Sequence, residues 1–117
     1  MSARILIVDD NEDARMLLSE VLQAVGHSVK SAGDGPEALA LAEAFQPDVA
    51  ILDIGLPVMD GYELAARLRE TMSKPPRMVA LSGYGRPADQ EKSAAAGFER
   101  HLVKPVDLKS LLQTLSG

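Results

Sequence analysis

The sequence has no cysteine and no tryptophan, and its 117 residues include only two tyrosines and two phenylalanines. Without cysteine the chain can form neither a disulfide nor a thiolate metal site, a composition that fits a reducing compartment. The scarcity of aromatic side chains argues against a surface that stacks nucleic-acid bases. No apolar run approaches the roughly 20 residues of a membrane helix, and no signal peptide is recognisable. We therefore predict a cytoplasmic protein whose chain contains no membrane segment.

Positive charge is also in short supply, because 12 lysines and arginines stand against 17 acidic residues and give a net charge of -5. No basic stripe is present, so direct binding of nucleic acid is not expected. The length fits one domain with a core of its own, and no repeat, linker or low-complexity segment interrupts it. We predict a single domain over residues 1–117.

Short apolar runs and helical patterns alternate along the chain. Runs with the composition of buried strands lie at Arg4–Val8, Val49–Leu52 and Met78–Leu81, and a further strand is predicted over Phe98–Val103. Such runs are typical of strands in a parallel sheet, where both faces are covered. A fifth run, Ser28–Ala32, has fewer apolar residues and suits an edge strand.

Each strand is followed by residues spaced as on one face of a helix. We expect the buried face of the first helix to contain Ala14, Leu17, Leu18, Val21, Leu22 and Val25. A short alanine-rich helix is predicted over Ala88–Ala96, and a last helix through Leu108 to Leu115. Five repeats of strand then helix predict an α/β fold, with a doubly wound, five-stranded parallel sheet and right-handed crossovers.

Polar residues stand at the carboxyl ends of four predicted strands, namely Asp9 and Asp10, Asp53, Ser82, and Lys104. In an open parallel sheet, ligands bind outside this edge at the point where the strand order reverses. If the order is 2-1-3-4-5, the four loops converge on one crevice. Three carboxylates, a hydroxyl and a lysine would then share one small site.

Three carboxylates in one crevice repel one another, so the cluster calls for a cation. The oxygen ligands favour a hard divalent ion, Mg²⁺ in the first place, whereas zinc is disfavoured because His27 and His101 lie on different elements. A carboxylate beside Mg²⁺, with a lysine and a hydroxyl opposite, suits phosphoryl transfer with Asp53 as nucleophile and acceptor. Simpler interpretations are that Asp53 starts a turn and that Asp10 or Asn11 caps the first helix.

Five short motifs occur in an order and spacing that match a known family. They are Val8-Asp9-Asp10, Asp53-Ile54-Gly55-Leu56-Pro57, Met59-Asp60-Gly61, Leu81-Ser82-Gly83 and Val103-Lys104-Pro105. With them the chain resembles, over essentially its whole length, the receiver domain of bacterial two-component response regulators. The resemblance implies a flavodoxin-like (βα)5 fold with strand order 2-1-3-4-5. It also implies a signalling module and not an enzyme, although one that assists its own phosphorylation and dephosphorylation at Asp53.

The resemblance further implies a donor and a metal. A phosphoryl group would pass to Asp53 from the phosphohistidine of a histidine kinase or a histidine phosphotransfer protein. Mg²⁺, or Mn²⁺, would be held directly by Asp10, Asp53 and the backbone carbonyl of Gly55, and by Asp9 through water. A two-component phosphorelay would thus use every acidic residue of the predicted crevice.

The side chains of Ser82 and Lys104 would contact the phosphoryl oxygens. The peptide between Lys104 and Pro105 would be cis. His101 stands where many receivers carry tyrosine or phenylalanine. We predict that His101 forms a switch with Ser82 and reports its state, with a pH dependence because imidazole groups change charge near neutrality.

Gly55 and Tyr84 are predicted to flank the path of a water molecule that attacks the acyl phosphate, with Tyr84 as the shield.

Three other functions share parts of this pattern. An aspartate-nucleophile phosphatase would carry a second aspartate where Gly55 stands. A flavodoxin-like cofactor binder would need a first loop that cradles phosphate, whereas Asp9–Glu12 repels it. A pseudo-receiver would act as an interaction module without phosphorylation.

The predicted partner surface is formed by the helix over Ala88–Ala96, the fifth strand and the last helix. Phosphorylation would change Ser82 and His101 at the edge of this surface, which would bias a two-state switch. We expect a downstream protein or domain to bind there.

Overall fold

The structure is a computed structural model that describes residues 2–83 and 86–116, with the backbone alone at residue 116. The strands are β1 (Arg4–Val8), β2 (Ser28–Ala32), β3 (Val49–Asp53), β4 (Arg77–Ser82) and β5 (Arg100–Val103). The helices are α1 (Glu12–Ala24), α2 (Gly35–Phe45), α3 (Gly61–Thr71), α4 (Pro87–Ala95) and α5 (Leu108–Ser116). Strand and helix alternate five times, as the pattern of apolar residues predicts.

All five strands are parallel and pair in the order β2-β1-β3-β4-β5. The predicted doubly wound sheet and its order are therefore confirmed. β2 lies on one side of β1 and β3 lies on the other side. The direction in which successive strands are added to the sheet therefore reverses beside β1. Ligand sites of open α/β sheets lie at such a reversal, outside the carboxyl ends of the strands.

The sheet has an apolar core on each face, because successive side chains of a strand point to opposite faces. Leu6 and Val8 of β1 belong to the core shared with α2 and α3. Ile5 and Ile7 belong to the core shared with α1 and α5. All five residues of β3 are buried, including Asp53 at its end. Asp53 thus lies at the carboxyl edge of a strand that is buried along its whole length.

Polar side chains define where three helices begin. Asn11 Oδ1 accepts a hydrogen bond from the Ala14 amide at 3.0 Å at the start of α1. Asp34 and Asp60 accept from backbone amides three residues later, each at 2.9 Å, and begin α2 and α3. Of the two residues proposed to cap the first helix, the cap is Asn11, which leaves the Asp10 carboxylate available to the site.

The structure corrects three details of the predicted elements. Leu17 is 59% exposed because it lies about 100° around α1 from the buried Leu18. Val25 is 50% exposed because it follows the last residue of α1. The fifth strand begins at Arg100 and not at Phe98, since the Phe98 amide donates to the Ser93 carbonyl at 3.0 Å in closing α4.

Candidate functional site

Three carboxylates meet at the carboxyl edge of the two central strands. Asp9 and Asp10 follow β1 directly, and Asp53 is the last residue of the neighbouring β3. One carboxylate oxygen of each residue lies within 4.8 Å of one carboxylate oxygen of both others. Asp9 and Asp53 are buried, whereas Asp10 is exposed. The sheet therefore brings together the acidic residues that the sequence analysis selected.

Backbone and side-chain donors hold the carboxylate of Asp53 from two directions. Its Oδ1 accepts from the Gly55 amide at 2.9 Å, and its Oδ2 accepts from Lys104 Nζ at 2.8 Å. The β3–α3 loop folds back over the strand end, where the Gly61 amide donates to the Ile54 carbonyl at 3.0 Å. A Cβ at Gly61 would lie 2.6 Å from the Asp53 carbonyl oxygen, so this close approach requires glycine.

Asp9 is fully buried and is anchored by its own backbone as well as its side chain. Its Oδ1 accepts from the Asn11 amide at 3.0 Å, and its carbonyl accepts from Arg15 Nη1 at 2.9 Å. The Arg15 guanidinium also occupies the space beside Gly33, where a Cβ would lie 2.8 Å from Nη1. Arg15 was not among the residues predicted from the sequence, and the signal that could have identified it is its position in the first turns of α1 after two aspartates.

The Lys104 ammonium bridges the two buried carboxylates. Lys104 Nζ lies 2.9 Å from Asp9 Oδ2 and 2.8 Å from Asp53 Oδ2. Burial lowers the pKa of Lys104, but the hydrogen bond to Asp53 and the negative charges of Asp53 and Asp9 outweigh it and raise the pKa above its usual value. The Lys104 amide donates to the Ser82 carbonyl at 2.8 Å, and the Lys104–Pro105 peptide is cis. The backbone hydrogen bond connects the end of β5 to the end of β4.

The donor set fits a hard divalent cation. Three carboxylates and one ammonium leave two uncompensated negative charges, which one divalent ion would neutralise. Asp9 Oδ2 is buried, and no donor among the described residues is aligned to hydrogen-bond it, although the Lys104 ammonium forms an ion pair with it at 2.9 Å. Carboxylate oxygens are the ligands that Mg²⁺ and Mn²⁺ prefer. The hydrogen bond from the Gly55 amide to Asp53 Oδ1 holds residue 55 beside this cluster.

Ser82, at the end of the strand next to β3, contacts His101 of β5. Ser82 ends β4 and is 7% exposed, and its Oγ lies 2.7 Å from His101 Nε2. The other ring nitrogen, Nδ1, lies 3.0 Å from Ser93 Oγ in α4, a contact that the sequence analysis did not anticipate. Tyr84 lies outside the described residues, so its shielding role stays a prediction.

Comparison with known proteins assigns the chain to a family. Residues 5–116 match the family described as the response regulator receiver domain. The chain belongs to this family. Receiver domains are signalling modules that bind Mg²⁺ at an acidic cluster and interact with histidine kinases or phosphotransfer partners. In the part of the chain that the structure describes, none of the helices combines the length and apolar character needed to cross a bilayer.

Individual receiver proteins and structures support this assignment. The chain is 38% identical over 110 residues to an uncharacterized 14.6 kDa protein of Leptolyngbya boryana, in a match that covers 93% of this chain and 84% of that one. It is 38% identical to the response regulator MprA of Mycobacterium bovis over 96% of this chain but only 48% of MprA, about half its length. The chemotaxis response regulator CheY4 of Vibrio cholerae superposes with a TM-score of 0.90 at 36% identity, covering 99% of this receiver and 98% of that structure.

Proposed function

We propose that this receiver accepts a phosphoryl group on Asp53 from the phosphohistidine of a histidine kinase or a histidine phosphotransfer protein. The observation that carries the proposal is the Lys104 ammonium between Asp53 and Asp9, beside three carboxylate oxygens within 4.8 Å of one another. This arrangement offers one buried nucleophile, one fixed cation and a set of ligands for a second cation. Phosphoryl transfer depends mainly on such positioning and charge neutralisation.

In the proposed reaction one oxygen of Asp53 forms a bond to phosphorus. The bond between phosphorus and the donor imidazole nitrogen breaks, and its electron pair stays on that nitrogen. A donor ring that is protonated on its other nitrogen leaves as neutral imidazole, so charge and protons balance. The Gly55 amide and the Lys104 ammonium hold the Asp53 carboxylate in place for this attack, at 2.9 and 2.8 Å.

The remaining site residues bind the transferred group and the metal. Asp10, Asp53 and the Gly55 carbonyl would hold Mg²⁺ or Mn²⁺ directly, and Asp9 would do so through water. When bound, the ion neutralises charge on the phosphoryl oxygens and on the carboxylates. Lys104 and Ser82 are proposed to contact two phosphoryl oxygens. Lys104 Nζ also contacts Asp9, so it can move from Asp53 to a phosphoryl oxygen and still have an anionic partner.

The proposed signal leaves the site through Ser82 and His101. Both side chains border the surface formed by α4, β5 and α5, where we propose that a downstream protein or domain binds. We also propose that residues 1–117 act as one receiver domain in the cytoplasm. An aspartate-nucleophile phosphatase is disfavoured, because position 55 offers a backbone amide to Asp53 and no side-chain acid.

The test is intact mass after incubation with Mg²⁺ and a small acyl phosphate donor. We expect a phosphoryl-sized mass gain that disappears with EDTA and in Asp53→Asn. Asp60→Asn is the matched control, because Asp60 caps α3 outside the carboxylate cluster and asparagine can cap in its place. A folded wild-type chain that gains no mass under any condition would contradict the proposal and favour a pseudo-receiver.

A further inference from the structure

A chain of hydrogen bonds runs from the end of β4 into α4. Ser82 Oγ lies 2.7 Å from His101 Nε2, and His101 Nδ1 lies 3.0 Å from Ser93 Oγ. The Ser93 hydroxyl in turn donates to the Gln90 carbonyl at 3.0 Å. Ser93 is 2% exposed, so bulk water competes little for these bonds. The imidazole thus joins a hydroxyl at the site to a hydroxyl inside the helix.

The direction of each bond follows from the protons available. A hydroxyl carries one proton, and that of Ser93 is donated to Gln90, so Ser93 Oγ can only accept from His101. Nδ1 of His101 therefore carries a proton. A neutral imidazole has a single N–H, which makes Nε2 the acceptor and Ser82 the donor. When the ring is neutral, the Ser82 hydroxyl therefore donates its proton to His101 Nε2.

The second histidine of the chain has the opposite arrangement. His27 Nδ1 accepts from the backbone amide of Ala3 at 3.0 Å. In its neutral form His27 therefore carries its proton on Nε2. The sequence contains only these two histidines, so one molecule provides both the test residue and an internal reference.

We propose that Ser93 is a positioning residue for Ser82: it fixes the Nδ1–H tautomer of His101 and so keeps the Ser82 proton turned away from the acceptor site. This inference rests on the proposed phosphorylation of Asp53. A phosphoryl oxygen would compete for the same Ser82 proton. The ring cannot offer Nε2–H to Ser82 in exchange unless it releases Ser93 or gains a second proton. Engagement of Ser82 therefore strains the contact with α4, which lies on the proposed partner surface.

The first measurement is the ¹⁵N spectrum of the two imidazole rings in the unliganded chain, with His27→Gln to assign the signals. We expect the Nδ1–H tautomer at His101 and the Nε2–H tautomer at His27. Ser93→Ala should move His101 toward Nε2–H, whereas Ser93→Thr keeps a hydroxyl and should keep Nδ1–H. Ser110→Ala is the matched control, because Ser110 lines one surface groove together with Ser93 and His101 but donates to Asp107 Oδ2 at 2.9 Å.

The second measurement is the affinity for beryllofluoride, a tetrahedral phosphoryl mimic, in the presence of Mg²⁺. Ser93→Ala frees the ring to donate from Nε2 while Ser82 donates to the mimic, so we expect about threefold to tenfold tighter binding, the range of one neutral hydrogen bond. Ser93→Thr and Ser110→Ala should bind like the wild-type chain.

An Nε2–H tautomer at His101 in the wild-type chain would overturn the inference. So would a Ser93→Ala variant that keeps both the wild-type tautomer and the wild-type affinity. Failure of the wild-type chain to bind beryllofluoride would instead overturn the proposed function. The tautomers are measured without that ligand, so they still decide whether Ser93 orients the Ser82 proton.

Discussion

Lys104 is the residue on which the electrostatics of the site depend most. Among the described residues, the Lys104 ammonium is the positive charge that lies between the buried carboxylates of Asp9 and Asp53. At such distances like charges in a partly buried site repel by several kcal/mol. The ammonium therefore stabilises the arrangement in the metal-free protein, and a divalent ion at the same cluster would share that role.

Lys104→Gln should destabilise the metal-free protein by about 1–3 kcal/mol, because it leaves Asp9 and Asp53 facing each other without the ammonium. The upper end is discounted because the Lys104 side chain is 33% exposed and solvent screens its charge. Mg²⁺ should restore more stability to this variant than to the wild-type chain. Urea unfolding with and without Mg²⁺ measures both effects, and Lys109→Gln, at an exposed position, is the control.

The pH dependence of the same difference has a defined sign. The pKa of Lys104 is raised in the folded protein, so its stabilising contribution is complete below the usual lysine value and is lost as pH rises through the raised value. From neutral pH upward, the stability difference between wild type and Lys104→Gln should therefore stay constant and shrink above about pH 10. A difference that already disappears near neutrality would contradict the ion-pair account.

At the scale of elements, the loop between β3 and α3 determines where Asp53 lies. Gly61 begins α3 directly against the end of β3, and the Asp60 side chain caps the helix at 2.9 Å. The contact at Gly61 is with backbone atoms, namely the Asp53 carbonyl oxygen and the Ile54 Cα. Backbone atoms at the end of a buried strand cannot move aside as a flexible side chain can. The start of α3 and the position of Asp53 therefore depend on each other.

Gly61→Ala should destabilise the protein by about 1–3 kcal/mol, because the new methyl group would overlap the end of β3. Gly83→Ala is the control, since a Cβ at Gly83 meets no atom of the described residues within 4 Å. We expect its effect to stay within about 0.5 kcal/mol. Thermal unfolding of both variants measures the difference, and equal melting temperatures would show that the loop relaxes freely.

At the scale of the whole molecule, metal binding and folding are linked through the carboxylate cluster. Asp9 and Asp10 follow β1, Asp53 ends β3 and Lys104 follows β5, so the site exists only when the sheet is assembled. A ligand that binds only the folded state stabilises it by mass action, by about 2.7 kcal/mol at 100 times its dissociation constant. Stability thus reports metal binding even without phosphorylation.

Asp10→Asn should have effects of opposite sign in the absence and presence of Mg²⁺. Without the ion it removes repulsion from the cluster and should stabilise the protein slightly. With the ion it removes a charged ligand and should reduce the stabilisation that Mg²⁺ provides. Urea unfolding across a Mg²⁺ titration tests this, with Asp13→Asn on the exposed start of α1 as control. Identical Mg²⁺ titrations for Asp10→Asn and wild type would remove Asp10 from the proposed ligand set.

The strands, their parallel order and the acidic residues at their ends follow from the sequence by itself. An apolar run such as Val49–Leu52 is a local property, and a residue placed just after it must lie at the sheet edge. The five motifs add the strand order, because they match the receiver family as a set. Predictions of burial failed where burial depends on neighbouring elements. Leu17 has the helical spacing of a buried residue but is exposed, because spacing alone does not reveal how narrow the contact of α1 with the sheet is.

Only the tertiary structure decided which groups beyond the motifs contact the site. Ser93 is eight residues from His101 in the sequence, and the bond between them requires α4 to pack against β5. Arg15 reaches the Asp9 carbonyl because α1 folds back beside β1, and Lys104 lies 51 residues from Asp53. Sequence patterns report the period and composition of segments, whereas these contacts depend on distances between segments. For that reason the acidic cluster is readable from the sequence, and the proton direction from Ser82 through His101 to Ser93 is not.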